Sequence, residues 1–400
     1  MIFKPMRIAI IADVFPPLRS SGAVQLRDLS LEFVRQGHQP TVMIPSSEIS
    51  LPWVLENMDG VQVLRLKAPR TKDTNYVRRT IGELLMPFVM RYNLQKTSLA
   101  DVRWDGVVWY SPTIFLGPLA NVLKKTSACR SYLIVRDIFP EWAVDMGLLG
   151  RGLPYRFFKA IEYYQYSVAD VIGVQTSSNL TYFDNWSSKP KRRVEVLQNW
   201  LADAPNKGAT IKIASSPLAG RTIFVYAGNM GVAQGMNVII DLAERLQNRS
   251  DIGFLFVGRG SDAKKLQDTT ISRGLDNVLF YDEIDPTEIP GLFAQCHIGI
   301  VMLDPRHKTH NIPGKFLTYM QAGLPVLASI NPGNNLVELI AHEKVGFVCT
   351  DHSADTLERL AKELVDEVLG SNSFVTQCQN LSKKLFSPEV AVKQIVNALM

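Results

Sequence analysis

Four cysteines, Cys129, Cys296, Cys349 and Cys378, occur in 400 residues, far apart and with no Cys-x-x-Cys pair. A disulfide-stapled scaffold is excluded. Three of the four lie in or beside apolar stretches, so reduced, buried thiols of a cytosolic protein are expected. The six histidines are scattered, and no Asp-x-Asp follows a strand-like run, so the sequence offers no metal cluster. No repeat of solenoid length is visible. Long apolar runs are missing too. Gly106 to Leu123 carries no charge, but Ser111, Pro112, Gly117, Pro118 and Asn121 break it into a strand, a loop and a helix. A spanning helix needs about 20 predominantly apolar residues, so no transmembrane helix is expected. The start, Met1 to Arg7, lacks the apolar core of a signal peptide, and no leader is expected.

What remains is a globular composition: 46% apolar, 20% charged, with a formal net charge of +5. A chain of 400 residues exceeds what one core usually holds, so two domains of about 200 residues are the default. Arg7-Ile-Ala-Ile-Ile-Ala12 is a continuous apolar run, the pattern of a parallel strand covered on both faces. A helix with Val24, Leu26, Leu29, Phe33 and Val34 on one side follows, then a strand from Pro40 to Pro45. His38, just past that helix, is read as structural. Further strands are expected at Val61–Leu66, Gly106–Tyr110, Ser131–Val135 and Asp170–Val174, with helices between. Alternation of this kind builds a mostly parallel, right-handed sheet with its ligand crevice at the strand C-termini. Ser21 and Gly22 would sit in that crevice. A linker rich in turn formers, Ala202 to Thr210, precedes a second set of strands beginning at Thr222–Ala227. The expected division is 1–201, 202–386, and a last helix over 387–400.

The second half carries the motifs. Tyr226-Ala-Gly228-Asn229-Met-Gly231, followed by Gln234-Gly235, places glycines between a strand and a helix. Phe256-Val-Gly258-Arg-Gly260 repeats the arrangement. His310-Asn-Ile-Pro313-Gly314-Lys315 then leads into a helix with Phe316, Leu317, Tyr319 and Met320 on its apolar side. Gly323 is placed to stop that helix, and Pro325 prevents continuation. Free N–H groups and the helix dipole at Gly314 and Lys315 favour an anion such as a diphosphate.

In order and spacing these motifs resemble family 4 retaining glycosyltransferases, most closely the subgroup that builds bacterial O-antigen and capsule repeats. The resemblance covers essentially the whole chain. It implies a GT-B α/β fold: two Rossmann-like domains with parallel sheets facing a central cleft, and a last helix returning to the first domain. It also implies metal-independent transfer, without cofactor, from a UDP-sugar to a lipid diphosphate-linked acceptor. The sugar would be an N-acetylated hexosamine or deoxyhexosamine, and the enzyme would sit on the inner face of the cytoplasmic membrane. The donor would touch Ser21, Gly22, Gly228, Asn229, Gly231, Gln234, Gly258, Gly260, His310, Pro313, Gly314 and Thr318.

The chain departs from that family in several places, and at Ser20-Ser21-Gly22 it keeps one glycine of the usual pair. Asn229 and Gln234 stand where an arginine and a lysine are typical, and His310 and Thr318 where two acidic residues are typical. Lys315, with backbone N–H groups at Gly231 and Gly314, is the substitute for the missing cations. Arg136-Asp137-Ile-Phe-Pro-Glu141-Trp142 looks like the Asp-x-x-Pro-Glu signature of the subgroup. Asp137 or Glu141 would orient the acceptor hydroxyl, take its proton or bind the sugar; otherwise both simply favour a helix N-terminus. The departures also leave open a catalytically inactive nucleotide-sugar-binding subunit. A nonhydrolysing UDP-GlcNAc 2-epimerase shares the fold, but the acidic and histidine residues it needs are not found. Finally, Arg65 to Arg103 is rich in Arg and Lys and holds the apolar run Leu84 to Met90, which suits an anionic membrane surface. No stacking-aromatic module accompanies the charge, so nucleic acid is not expected as a partner.

Overall fold

The computed structural model describes residues 4–18, 20–72, 74–184, 192–231, 234–304, 312–371 and 373–400. The chain divides into two compact units, Met1–Trp200 with Pro388–Met400, and Leu201–Ser387. In chain order the first stretch forms β1 (Arg7–Ile11), α1 (Ser21–Arg35), β2 (Gln39–Ser46), β3 (Trp53–Met58), β4 (Val61–Lys67), α2 (Tyr76–Leu94), β5 (Gly106–Ser111), α3 (Gly117–Ser127), β6 (Arg130–Val135), α4 (Glu141–Asp145), α5 (Leu153–Val168), β7 (Val171–Val174) and β8 (Arg193–Val196). The second forms β9 (Thr222–Ala227), α6 (Asn237–Arg245), β10 (Ile252–Val257), α7 (Ala263–Ser272), β11 (Val278–Tyr281), α8 (Ile289–Phe293), β12 (Ile298–Met302), α9 (Gly314–Ala322), β13 (Val326–Ser329), α10 (Asn335–Glu343), β14 (Gly346–Cys349), α11 (Ala354–Gly370) and α12 (Ser373–Leu385). The last helix is α13 (Pro388–Leu399).

In the first unit the strand order is β3-β4-β2-β1-β5-β6-β7-β8, parallel except for the β3–β4 pair. The antiparallel edge strand β3 is a correction to the sequence reading, which expected no strand there. Asp59 and Gly60, both at positive φ (50° and 89°), make the tight hairpin turn that joins it to β4. Strand β8 was also missed. Alternate residues of each strand serve opposite cores. Ala9 and Ile11 face α2, α3 and α5, whereas Ile8 and Ile10 face α1 and α13. Helix α13 lies directly on the sheet, because Gly106 has no side chain and Leu399 fills its place. Arg130 donates to Ala398 O (3.1 Å) and Gln394 to Val196 O (2.8 Å), tying the helix down.

The second unit is a six-stranded sheet, all parallel, in the order β11-β10-β9-β12-β13-β14. Order reverses between β9 and β12, so the loops leaving their C-terminal ends part from each other there and open a crevice. In the first unit the same reversal falls between β1 and β5. Among the described residues, no helix is long and apolar enough to cross a membrane.

Candidate functional site

At the β9–β12 reversal, the position of helix α9 is set by its apolar side. The ring of Tyr319 lies flat against Gly299 of β12, where a Cβ would come within 2.5 Å of it, and its hydroxyl donates to Val225 O at 3.1 Å. Phe316 and Met320 are fully buried beside it. Gly323, at φ 78°, ends the helix in the left-handed cap expected of it. Pro313 is the N-cap rather than a first-turn residue, with an extended ψ of 137°. The first N–H groups, at Gly314 and Lys315, have no intrahelical partner by the geometry of any helix start.

Lys315 turns from this helix start onto the end of β9. Its Nζ sits 4.6 Å from the centroid of the Tyr226 ring, and the side chain lies against Gly228, where a Cβ would be 3.0 Å from it. Tyr226 is itself anchored by donating to Asn229 O at 2.6 Å. Among the described residues no carboxylate pairs with Lys315, and burial alone pushes its ammonium down to about 8. A cation over an aromatic face is stabilised by the ring quadrupole. The remaining electrostatic deficit is what an anion would relieve, on the order of 3 kcal/mol for return to the ordinary lysine value.

The glycine loops after β9 and β10 pack backbone on backbone. Gly228 N–H donates to Val257 O and Met230 N–H to Arg259 O, both at 2.8 Å. A Cβ at Gly258 would lie 2.2 Å from Gly228 O, so only glycine allows this approach. Gly260 meets Met230 O in the same way. Asn229 and Gln234 form a brace: Asn229 Nδ2 and Gly231 N–H both donate to Gln234 Oε1, at 3.3 and 3.0 Å. Gly231 N–H, expected to serve an anion, is here bonded to the side chain of Gln234. Thr318 bonds back to its own helix, donating to Gly314 O at 3.1 Å. Arg259 is exposed and paired with Glu283 (2.9 Å). His310, with Arg306 and Lys308, lies outside the described residues.

In the first unit, Ser21 and Gly22 open α1, and Ser20 caps it by accepting from Ala23 N–H (3.4 Å). Gly22 leaves room for the hydroxyl of Tyr110, which donates to Gln25 Oε1 at 3.2 Å. Arg136 and Asp137 follow β6 at the same edge of the sheet. Arg136 is buried against the Trp200 ring (4.6 Å) and donates to Leu197 O (2.9 Å). Burial raises the Asp137 carboxyl, and Arg136 offsets part of that. Glu141 is in a different setting, at the start of α4. It accepts from the Tyr155 hydroxyl (2.8 Å) and pairs with Lys159 (3.1 Å), whose ammonium also pairs with buried Glu162 (2.5 Å). Its charge therefore ties α4 to α5, whereas Asp137 stays with Tyr110 and Arg136. Asp13, two residues past β1, belongs to the same group through its electrostatic coupling to Tyr110, and sequence reasoning missed it. The available signal was a single acidic residue directly after an apolar strand.

Among known proteins, the family match falls within the second unit, and the relatives and solved structures extend over most of the chain. Residues 221–367 match the family model "Glycosyl transferases group 1". Probable glycosyltransferase WbjE of Pseudomonas aeruginosa is 24% identical over 345 residues, 83% of this chain and 82% of that protein. Putative colanic acid biosynthesis glycosyl transferase WcaI of Escherichia coli K12 is 24% identical over 277 residues, 63% of this chain and 62% of that protein. Among solved structures, Anabaena HepE, in complex with UDP and glucose, superposes with a TM-score of 0.66 at 14% identity, over 98% of this chain and 99% of that one. These likenesses show the GT-B fold and a glycosyltransferase.

The Lys315 geometry makes a direct prediction. With its lysines reductively ¹³C-methylated, the protein should show one titrating near pH 8, absent from Lys315→Arg, and added UDP should move that titration upward. Affinity for UDP should correspondingly fall as pH rises through 8, because the ammonium form is the one that binds. A lysine titrating only near the ordinary value, unmoved by UDP, would contradict the assignment.

Proposed function

We propose that this glycosyltransferase is a retaining, family 4 enzyme that transfers a sugar from a UDP-sugar to a lipid diphosphate-linked acceptor in bacterial surface polysaccharide assembly. The observation that carries the reading is the Lys315 ammonium beside the α9 N-terminus, buried without a carboxylate partner among the described residues, inside a glycosyl transferases group 1 domain. The bond from the anomeric carbon to the diphosphate oxygen breaks with its electron pair going to UDP. The acceptor oxygen bonds that carbon, and its hydroxyl proton leaves with the departing phosphate. Charge accumulates on the diphosphate, where Lys315 and the N–H groups of Gly314 and Lys315 stand ready. The UDP assignment draws support from HepE, solved with UDP and glucose, and the polysaccharide setting from WcaI, named for colanic acid. An N-acetylated hexosamine or deoxyhexosamine is the sugar class the sequence resemblance favours.

The acceptor's lipid requires the first unit to meet a bilayer, and its surface suits that. Helix α2 exposes Tyr76 (86%), Val77 (70%), Phe88 (55%) and Tyr92 (59%), while Met86 and Met90 of the same helix are buried. Arg78 and Arg91 are exposed on the same helix. A second apolar stretch, unnoticed in the sequence, exposes Leu148 (71%) and Leu153 (81%) beside exposed Arg151 and Arg156. Helices α2, α3 and α5 all cover one face of the sheet, so both stretches belong to that face. Basic and apolar groups together favour the interface of an anionic membrane, about 1 kcal/mol per basic residue.

Two measurements test this. A panel of UDP-sugars should release UDP faster when lipid-linked acceptor is present; UDP release without acceptor dependence would point to a 2-epimerase or hydrolase, and no release to a binding subunit. Separately, the protein should sediment with vesicles containing anionic lipid and much less with neutral ones. Arg78→Gln, Arg91→Gln and Arg151→Gln together should reduce sedimentation severalfold. Equal sedimentation of wild type and triple variant would contradict the membrane face.

A further inference from the structure

We propose that Arg221 and His297 form an anion site in the second unit, at the end of its sheet away from Lys315, and that the site takes a phosphate group. The inference stands apart from the glycosyl-transfer reading. Arg221 stands directly before β9 and His297 directly before β12, the two strands on either side of the order reversal. Lys315 meets β9 at its far end, against Tyr226 and Gly228. The six residues of β9 between them span roughly 20 Å, at about 3.3 Å per residue.

A cavity of about 320 Å³ opens there, bordered by Ile213, Ala214, Gly220, Arg221, Gln295 and His297. Ligand pockets begin at about 300 Å³. Its walls are held by bonds to the backbone. Gln295 accepts from Ile213 N–H and donates to Ile211 O and Gly291 O, each at 3.0 Å, so both ends of that amide are committed. A Cβ at Gly220 would meet nothing within 4 Å, so that side of the cavity is open.

The His297 ring is fixed by the strand beside it. Its backbone N–H donates to Ile223 O and its Nδ1 accepts from Ile223 N–H, both at 3.0 Å. A neutral imidazole whose Nδ1 accepts carries its proton on Nε2. Burial holds the imidazole below its ordinary range, so the ring is neutral near pH 7 and Nε2–H is a donor. Nothing among the described residues accepts from it.

Arg221 brings the charge. Its guanidinium donates to Ile252 O at a long 3.4 Å, and no carboxylate among the described residues pairs with it. Asp251, next to Ile252, is already held by two nitrogens of Arg249, at 2.8 and 2.7 Å.

The chemistry selects the ligand. The polar groups left free around the cavity only donate, and one of them is a fixed positive charge, so the ligand is an anion. A guanidinium presents parallel N–H groups that match two oxygens of a phosphate, and His297 Nε2–H adds a donor from a second strand. A tetrahedral phosphate offers oxygens in both directions at once, which a planar carboxylate does not. Ile213 and Ala214 border the remaining space, which admits the carbon body of a phosphate ester as well as the free ion.

The test follows the histidine ring signals of the full-length protein by nuclear magnetic resonance during titration with inorganic phosphate, glucose 6-phosphate or acetate at constant ionic strength. The His297 signals are identified by their loss in His297→Asn. They should move saturably with both phosphate compounds and far less with acetate, and the midpoint should rise at least tenfold in Arg221→Gln. Lys315→Met should leave the midpoint within twofold, which separates this site from the diphosphate site. Tighter binding of glucose 6-phosphate assigns the site to phosphate esters, and tighter binding of inorganic phosphate assigns it to the free ion. If Arg221→Gln fails to fold, Arg221→Lys decides: it keeps a charge but not the planar fork, and should raise the midpoint severalfold. No saturable movement, an equal response to acetate, an unchanged midpoint in the Arg221 variant, or a tenfold rise in Lys315→Met overturns the proposal.

Discussion

A lysine ammonium held against an aromatic ring, with no carboxylate partner among the described residues, is the constraint on which the second unit's chemistry depends. Lysine is rarely buried unpaired, because the charged form loses hydration that only a counter-charge restores. Here the position is enforced from several sides. Tyr319 on Gly299 seats the helix, the left-handed cap at Gly323 ends it, and the bare backbone of Gly228 admits the Lys315 side chain. The Tyr319 contact and the Gly323 cap involve no charge, so the seating of the helix does not depend on the ammonium. The charge fits a diphosphate arriving at a helix N-terminus, where electrostatic preorganisation has its largest effect.

The loop after β9 shows how the chain manages with fewer cations than its sequence resemblance would lead one to expect. Asn229 and Gln234 do not reach outward as neutral stand-ins for arginine and lysine. They bond to each other and to Gly231 N–H, bracing the loop in the shape that lets Gly258 and Gly260 pack on it. Rigidity is supplied by neutral side chains and charge by Lys315 alone among the described residues of this loop and helix. That separation makes the site more sensitive to one residue than a site with three cations would be.

Much of this was legible in the sequence, for a physical reason. Parallel strands covered on both faces must be apolar throughout, so runs such as Arg7–Ala12 and Thr222–Ala227 stand out. The helix from Gly314 to Ala322 was legible from its proline, glycine and apolar spacing. The edge strand Trp53–Met58 was not, because Leu55, Glu56 and Asn57 face solvent and no apolar run or alternation marks it; its signal was the Asp59-Gly60 turn, which went unread. The roles of Gln234 and Glu141 were also hidden, since a sequence cannot show that Gln234 bonds back to Gly231 or that Glu141 is held by Lys159 and Tyr155. Asp13 was passed over because an aspartate after a strand is ordinary turn chemistry until its coupling to Tyr110 is seen.

The central claim is that Lys315 supplies the positive charge for the donor diphosphate. Titration calorimetry of UDP with wild type and Lys315→Met, which keeps the apolar stem and removes the ammonium, measures this most directly. One charge-assisted contact is worth about 1.5–3 kcal/mol, so the account predicts UDP binding weakened about tenfold to a hundredfold, with the melting temperature kept. Equal UDP affinity in the two proteins would place the diphosphate elsewhere and contradict the account.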